Sequence, residues 1–498
     1  MRYSLLILLL TSVTFRLSSQ EYILRDSLGS ALYGIGAPAL LSQASCTEGW
    51  GKAEVSKDNF SFLTDPRLSL PRNSHEVALT TEGLKRFGAT TVWGRVEYQH
   101  TKMTGIKGNI TADSELFYPY IFADTKEHTF RSEVYRLFFE AAHRFSQFCS
   151  IGLGGWYSGT SDYTRQDPRA SHTTSNLGIT TGIECSPGKF GSLSTHIGYS
   201  RYIQDLGYSV LVPDASEMVY MMRPYGQYNH RYSKRNESAS YRYYLSGFTA
   251  SLSHVHLPRQ SMVMLEMART QAKLGMDKVG MYPSEIKGLS LLIRGASQIC
   301  PITPNDILFL DVSLLFRERD ATENVYNMVP IDGFSSLTQP ELISSDRTFK
   351  EFTTSAMMTP RFRHTSPLLM YDIGAKVSWF QYLSHSMQSD DQATLSTLHA
   401  GPDLRIRFSP PTLGCTLETA LTWEWSLLLR DSISLRESEV RNIELSRHMY
   451  RGDRGARTHV SQSILIPTGR DTAVKMNVGF ESVRGYRRHL TASLSFYY

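Results

Sequence analysis

The chain has 498 residues, a net charge of +5, 41% hydrophobic residues and a mean hydropathy of −0.26. So small a charge over this length gives no indication of a nucleic-acid partner. Beyond residue 20 no apolar run approaches the roughly 20 residues that a membrane-spanning helix needs, which excludes a helical membrane protein. A membrane β-barrel fits the composition, because only every second residue of its strands meets lipid.

The N-terminus predicts export. In MRYSLLILLLTSVTFRLSSQ, an early Arg2 precedes the apolar run 5–10, and small and polar residues follow. Residues 1–19 are therefore predicted to be a signal peptide, too short to span a bilayer as a helix. Residues 20–48 are predicted to be a segment in the periplasm or inserted in the lumen, and residues 49–498 a single outer-membrane barrel. The segment 20–48 is too short to be the plug domain of an active transporter.

Alternation of apolar and polar residues recurs along the rest of the chain. In CTLETALTWEWS, Leu421 and Trp423 alternate with Thr422 and Glu424. Such alternation marks a two-faced strand, and segments of about 10–15 residues match a tilted strand crossing a bilayer. We predict an all-β fold, a transmembrane antiparallel up-and-down barrel of about 18 strands (roughly 16–20). The predicted strands are 49–61, 74–85, 89–101, 129–143, 147–159, 173–186, 189–203, 241–256, 260–273, 286–298, 306–318, 350–363, 368–383, 395–407, 414–428, 456–466, 472–482 and 487–498.

Short and long connections alternate between these strands. Pro and Gly suit the predicted short turns at 85–88, 145–148, 186–191, 256–260, 300–306, 364–368, 408–414 and 467–471. Longer polar connections are predicted at 102–128, 160–172, 204–240, 274–285, 319–349, 384–394 and 429–455. Bacterial barrels have short periplasmic turns and longer extracellular loops, so the chain is predicted to end on the periplasmic side.

The last stretch, RRHLTASLSFYY, is an amphipathic strand with a terminal aromatic. Its apolar face carries Leu490, Leu494, Phe496 and Tyr498. It resembles the closing strand of outer-membrane barrels, which carries the signal read by the barrel-assembly machinery. Over its full length, including ALTTEGLKRF followed by VWGRVEYQ, the chain resembles the large outer-membrane barrels of Bacteroidota, many of which have no assigned function. The resemblance implies an outer-membrane location and transfers no catalytic residue.

If the apolar residues face lipid, their polar neighbours face the lumen, because a charge on the lipid side costs about 2–4 kcal/mol at the bilayer midplane. A selective pore would show one dominant sign, whereas a balanced set favours cross-strand ion pairs. A salt-bridged wall and a wide aqueous pore both remain open. The predicted lumen charges are nearly balanced in sign: Arg95, Glu97, Arg136, Glu140, Glu184, Asp311, Arg317, Asp372, Lys376, Arg405, Arg407, Glu418, Glu424, Lys475 and Glu481.

Few residues suggest catalysis or metal binding. His459 and Ser461 lie two apart on one strand, the spacing found in an outer-membrane phospholipase, but no orienting group or oxyanion site can be named beside them. The five cysteines are scattered without a CxxC motif and predict neither a disulfide framework nor a zinc site. Cys185 and Cys415 are interpreted as small hydrophobes on the apolar side of their strands. No cofactor and no metal ion is expected.

The leading functional prediction is a non-enzymatic outer-membrane barrel that serves passive transport or is an accessory component of an uptake complex. The first alternative is a closed, salt-bridged barrel whose extracellular loops bind a ligand or partner. The second is an outer-membrane hydrolase of phospholipase type. The predicted partners are outer-membrane lipid and lipopolysaccharide, the barrel-assembly machinery, and a neighbouring transporter or lipoprotein. Nucleic acid is not expected for an exported chain.

A barrel of about 18 strands encloses a space wide enough for an aqueous channel unless something fills it. Two segments could do so. One is the mature N-terminus, and the other is the loop 204–240, which could fold down as a constriction. A lumen narrowed by the N-terminal segment is the favoured arrangement. The stretch 223–244, rich in Tyr and Arg, is a candidate for binding sugars, peptides or a partner protein. The alternative is an aromatic belt with positive charge that faces lipopolysaccharide.

Overall fold

Strand pairing runs around a closed ring in this computed structural model. Neighbouring strands are antiparallel, and the first strand pairs with both the second and the last. The predicted signal peptide 1–19, and residues 20–36 of the predicted N-terminal segment, lie outside the described residues. Those that the structure describes are 37–43, 49–62, 71–186, 188–211, 218–235, 237–256, 261–276, 280–303, 305–331, 334–388, 391–410, 414–434, 455–468, 472–483 and 487–498.

Eighteen strands form the barrel wall. They are β1 Gly49–Phe62, β2 Asn73–Phe87, β3 Thr90–Lys107, β5 Glu127–Arg144, β6 Cys149–Thr164, β7 Arg169–Cys185, β8 Ser192–Ser209, β11 Ala239–His256, β12 Ser261–Met276, β13 Met281–Thr303, β14 Asp306–Ile331, β15 Phe334–Thr365, β16 Leu369–Ser386, β17 Gln392–Phe408, β18 Thr416–Ser434, β19 Gly455–Pro467, β20 Ala473–Val483 and β21 Arg487–Tyr497. Three short strands pair in a second sheet, namely β4 Phe122–Ala123, β9 Met218–Met221 and β10 Lys234–Arg235. The helical pieces are α1 Ser114–Phe117 and the 3-10 turns Pro38–Gln43, Gly188–Phe190 and Pro224–Gly226.

The ring closes between β1 and β21, which pair along the whole of β21. Beyond the last ladder pair, the Gly51 amide donates to the Tyr498 carbonyl at 2.7 Å, and the Tyr498 amide donates to the Gly51 carbonyl at 3.0 Å. A Cβ at position 51 would come within 2.6 Å of the Tyr498 ring, so a larger residue there would have to displace that ring. The last residue of the chain therefore completes the wall.

The two faces of the wall differ in character. Leu137 and Ile197 point outward, and 47% and 65% of their surfaces are exposed. Their chain neighbours Arg136 and His196 point inward, because side chains alternate across a strand. An apolar outer band and a polar lumen follow from this alternation. Among the described residues, no helix is long and apolar enough to span a membrane.

The predicted fold class and the count of 18 strands are confirmed. Every predicted strand overlaps a strand of the wall. Several observed strands extend beyond the predicted bounds at the end of the barrel that carries the long connections. The predicted loop 319–349 is mostly a hairpin of β14 and β15, and the predicted loops 160–172, 274–285 and 384–394 are mostly strand. In these regions strand pairing continues beyond the apolar band. The strands have no lipid to face there, so their residues are polar and the sequence resembles that of a loop.

Candidate functional site: the two closures of the lumen

The lumen is narrowed at its short-turn end by residues Pro38–Gln43, here named the inner segment. The Ala39 amide donates to Nε2 of His196 on β8 at 3.2 Å. The Ser42 hydroxyl donates to the Glu184 carboxylate on β7 at 3.2 Å. The Ser150 hydroxyl on β6 lies 2.7 Å from that carboxylate and 3.2 Å from the Ala39 carbonyl. Three neighbouring wall strands thus hold the inner segment by polar contacts.

Two arginines of the adjacent short turns also bind the inner segment. Arg86 and Arg144 donate to the Ser42 carbonyl at 3.3 and 3.0 Å. Because 3-10 turns leave carbonyls without partners at their C-terminal end, these guanidinium groups satisfy one of them. The contact is charge-assisted and therefore stronger than a neutral hydrogen bond.

Apolar packing and a glycine complete this closure. Leu41 packs among Leu84, Trp93 and Ala142 of the wall. The backbone of Ala39 lies so close to β6 that a Cβ on Gly152 would come within 2.1 Å of the Ala39 amide nitrogen. The close approach is possible only because position 152 has no side chain.

A second closure lies at the long-loop end, where residues 108–126, named inner loop A, fold into the barrel. The Tyr202 hydroxyl on β8 donates to the Asp113 carboxylate at 2.7 Å. Arg319 on β14 donates to the Glu115 carbonyl at 2.8 Å. The Tyr120 hydroxyl hydrogen-bonds Thr348 on β15, and burial raises the pKa of Tyr120 above its usual value, so the phenol stays neutral. Inner loop A therefore reaches across the lumen from β8 to β15.

Residues 218–235, named inner loop B, lie beside inner loop A and pair with it. Phe122 and Ala123 of β4 pair with Met221 and Tyr220 of β9. The Tyr225 hydroxyl lies 2.6 Å from the Ser384 hydroxyl on β16. The loops and the inner wall share one apolar cluster, which includes aromatic side chains from both. The second sheet thus forms a cover supported from β8 to β16.

Two buried carboxylates anchor this cover. Glu323 on β14 accepts hydrogen bonds from Arg223 and Asn229 of inner loop B, and only 3% of it is exposed. Glu351 on β15 is equally buried and binds Arg319 at 3.0 Å. Removing one partner of a buried ion pair leaves a charge without compensation, which makes such contacts sensitive to mutation.

The predicted lumen charges lie on the inner wall, and most form ion pairs. Glu184 instead holds the inner segment, and Glu140 is buried beside it with other contacts. The pairs are Arg95–Glu97, Arg136–Glu97, Arg317–Glu351, Arg361–Asp311, Arg363–Asp372, Lys376–Glu424, Arg405–Glu418, Arg407–Glu418, Lys475–Glu418 and Arg457–Glu481.

Along the wall from β16 to β20, several charged groups stay accessible to water. Side-chain exposure is 37% for Arg405, 36% for Arg457 and 33% for Lys475. The contacts of the inner segment are with strands from β2 to β12, away from these residues. The inner segment therefore leaves these charged residues uncovered at the short-turn end.

Several features were not found by sequence reasoning. The stretch 223–244 is not an exposed binding surface, because Tyr225, Tyr232, Tyr241 and Tyr243 are buried in the lumen, in agreement with the alternative that loop 204–240 folds down. The runs LFYPYIFA (116–123) and MVYMM (218–222) carried the missing signal, because loops exposed to water rarely contain such apolar runs. They mark segments that fold inward.

The candidate catalytic pair gains no support. His459 and Ser461 lie on the inner face of β19, opposite Thr422 and Ala420 of β18. No hydrogen bond joins them in the described part of the chain, and no third group orients the imidazole there. Within the same residues, no cluster of His, Cys, Asp and Glu could hold a metal ion.

The sequence from residue 66 to residue 498 matches a family of unknown function, DUF6850. The chain belongs to this family. No curated protein matches the sequence of this DUF6850 member.

Solved structures with a similar fold include three receptors from Acinetobacter baumannii. They are the siderophore receptor PiuA, the ferric preacinetobactin receptor BauA and the siderophore receptor PirA. Each is 8% identical in sequence to this chain and covers 91% of it. The match covers 82% of PiuA with a TM-score of 0.42, 80% of BauA with a TM-score of 0.39, and 81% of PirA with a TM-score of 0.36. Likeness at this level says nothing about what the DUF6850 chain binds.

Proposed function

We propose that this DUF6850 protein is a closed outer-membrane barrel that acts as an accessory component by docking a partner protein at its long-loop end. The apolar outer band, with Leu137, Ile179 and Ile197 half exposed or more, supports insertion in a bilayer. The short turns then face the periplasm and the long loops the exterior. The role requires no catalytic step.

The observation that carries the proposal is that the chain's own segments cover the lumen at the long-loop end and narrow it at the short-turn end. Inner loops A and B cover the long-loop end, and the inner segment narrows the short-turn end. Buried contacts such as Glu323 with Asn229 and Ala39 with His196 hold both closures in place. Such a lumen favours a docking or structural role over free diffusion of solutes, so we place passive transport second.

The hairpin of β14 and β15 offers the docking surface. β14 pairs with β13 only as far as Glu323, and β15 pairs with β16 only from Phe349 onward. The two strands stay paired with each other to Ile331, so the hairpin projects by about 25 Å at 3.3 Å per residue. Within the described residues both of its outer edges lack a neighbouring strand. An edge of this kind accepts a strand from another protein.

Side chains on the hairpin agree with a protein partner. Leu342 and Ile343 expose 51% and 64% of their surfaces. Arg231 of inner loop B donates to the Tyr326 carbonyl on the hairpin at 2.5 Å. Tyr282 nearby is exposed, with the Lys273 ammonium 5.6 Å from its ring centroid. Tyr and Arg are enriched in interface hot spots.

Photo-crosslinking in intact cells tests this proposal. A photoreactive amino acid at Ile343 is expected to give a discrete crosslinked product with one outer-membrane protein, and the same probe at Leu368 beside a short turn is expected to give none. In a chain that also carries Leu342→Glu, the product should fall at least tenfold while barrel assembly is unchanged. Absence of the product, or its persistence with Leu342→Glu, contradicts docking at the hairpin.

The C-terminal strand is proposed to serve as the assembly signal. Leu490 and Phe496 are exposed on the outer face, whereas Ser495 on the inner face hydrogen-bonds Glu54 of β1 at 2.8 Å. The outward aromatic residue is thus available to the assembly machinery, and the inward residues complete the ring.

A further inference from the structure

Two cysteines that are 36 positions apart in sequence lie side by side on β6 and β7. Cys149 and Cys185 are direct cross-strand partners, and their Sγ atoms are 3.2 Å apart. Both face outward at the short-turn end, where Ile151 and Ile183 are the next outward residues. Cys185 is exposed and Cys149 is half-buried, so reagents in water reach the pair.

The backbone geometry of this pair suits a covalent bond. The Ser186 amide donates to the Phe148 carbonyl at 2.6 Å, one step further along the ladder. Hydrogen-bonded and non-hydrogen-bonded pairs alternate in antiparallel sheets, so Cys149 and Cys185 form a non-hydrogen-bonded pair, with Cα atoms about 4.5 Å apart. Disulfides require Cα separations of roughly 4.4–6.8 Å. No movement of the strands is needed.

The neighbours of the two cysteines hold the inner segment. Ser150 follows Cys149 in sequence, and Glu184 precedes Cys185. Ser150 and Glu184 are also cross-strand partners, and both bind Ser42. β6 and β7 are connected in sequence only at their opposite end, through 165–168. At the short-turn end only hydrogen bonds keep their register. A covalent bond between the cysteines would fix the register of the two residues that hold the closure.

We propose that Cys149 and Cys185 form a disulfide that locks the inner segment in place. The two thiols lose two electrons and two protons to a protein disulfide of the dithiol-oxidase class, which is reduced to a dithiol as the new S–S bond forms. Oxidising compartments favour this exchange. The inference depends on the proposed function in one respect: the periplasmic position of the short turns gives the cysteines access to the oxidant.

Differential alkylation tests the bond. Outer membranes are blocked with N-ethylmaleimide, reduced, labelled with iodoacetamide and analysed by peptide mass spectrometry. Cys149 and Cys185 should carry the second label and Cys415, which lies at a different turn, the first. In Cys149→Ser, Cys185 should carry the first label. First labels on both cysteines of the outer-membrane protein would overturn the proposal.

A buffer experiment separates this inference from the proposed location. Purified barrel in detergent, exposed to a glutathione redox buffer, should form the same bond whether or not the protein resides in the outer membrane in cells. Failure to form it there overturns the geometric argument itself. If only the proposed outer-membrane location is wrong, the two cysteines should be free thiols in protein from cells but should form the disulfide in the glutathione buffer.

The effect of the disulfide on the inner segment can be measured separately by proteolysis. Reduction with dithiothreitol should raise the rate at which protease removes the N-terminal segment from the purified barrel by at least threefold. The same treatment should not change that rate in Cys149→Ser/Cys185→Ser, which should be cleaved at the faster rate from the start. Equal rates in oxidised and reduced wild type would show that the bond does not hold the segment.

Discussion

The inner segment depends on one missing side chain. A Cβ on Gly152 would lie 2.1 Å from the Ala39 amide nitrogen, so Gly152→Ala should displace Pro38–Gln43 from the wall. We expect faster proteolysis of the N-terminal segment without loss of the folded barrel. Gly207→Ala is the matched control, because its Cβ would meet nothing closer than 4.0 Å. Unchanged proteolysis in Gly152→Ala would show that the segment is not seated there.

Glu323 is the residue on which inner loop B most depends. Glu323→Gln removes the charge that Arg223 faces in a buried site, and the docking of the loop should weaken by about 3–5 kcal/mol. Trypsin should then cleave at Arg231, which precedes Tyr232, in intact cells. Asp320→Asn breaks the exposed pair with Arg347, worth about 0–1 kcal/mol, and should leave the loop protected. Protection of the loop in Glu323→Gln would contradict its anchoring role.

At the scale of elements, the last strand carries the assembly prediction. Deleting Phe496–Tyr498 removes the outward aromatic residues and both hydrogen bonds between Tyr498 and Gly51. We expect loss of the heat-modifiable, membrane-inserted form, while export continues. Phe496→Leu keeps an apolar residue on the outer face and should assemble at a reduced rate. Normal assembly of the truncated chain would contradict a role for this strand in closure.

The projecting hairpin carries the prediction of topology. A tag inserted between Ile331 and Phe334 should be reachable by antibody on intact cells, because this turn lies at the end of the longest hairpin. A tag in the short turn 186–191 should be reachable only after the outer membrane is opened. The stretch 223–235 is a poor place for a tag, since Tyr225 and Tyr232 within it are buried. Labelling of both sites on intact cells would contradict the orientation.

The strands were predictable from sequence, and so were two of the inward segments, the N-terminal one and the one within 204–240, whereas inner loop A was not. Alternation such as that around Leu421 and Trp423 reflects a wall with lipid on one side, and it recurs in every strand. The hairpin tips were missed because this alternation stops where lipid stops, while strand pairing continues. The cysteine pair was missed because Cys149 and Cys185 are distant in sequence, and only the register of β6 and β7 brings them together.

The whole molecule is a barrel whose lumen is obstructed by segments of its own chain. The wall supplies the polar partners, the inner segment and inner loops supply the cover, and charged groups such as Arg405 and Lys475 remain accessible to water. Wide barrels of about 18 strands conduct freely when nothing fills them. The closed lumen is thus a property of the inward segments and not of the strand number.

Single-channel conductance in planar bilayers tests this closure most directly. Four chains should be compared: the mature chain, a chain starting at Thr47, a chain in which inner loops A and B are replaced by short Gly-Ser linkers, and a chain with both changes. We predict little conductance for the mature chain, a modest increase for each single change, and a large, stable conductance only when both closures are removed. A mature chain that already conducts like an open porin, with no increase when both closures are removed, would contradict the account.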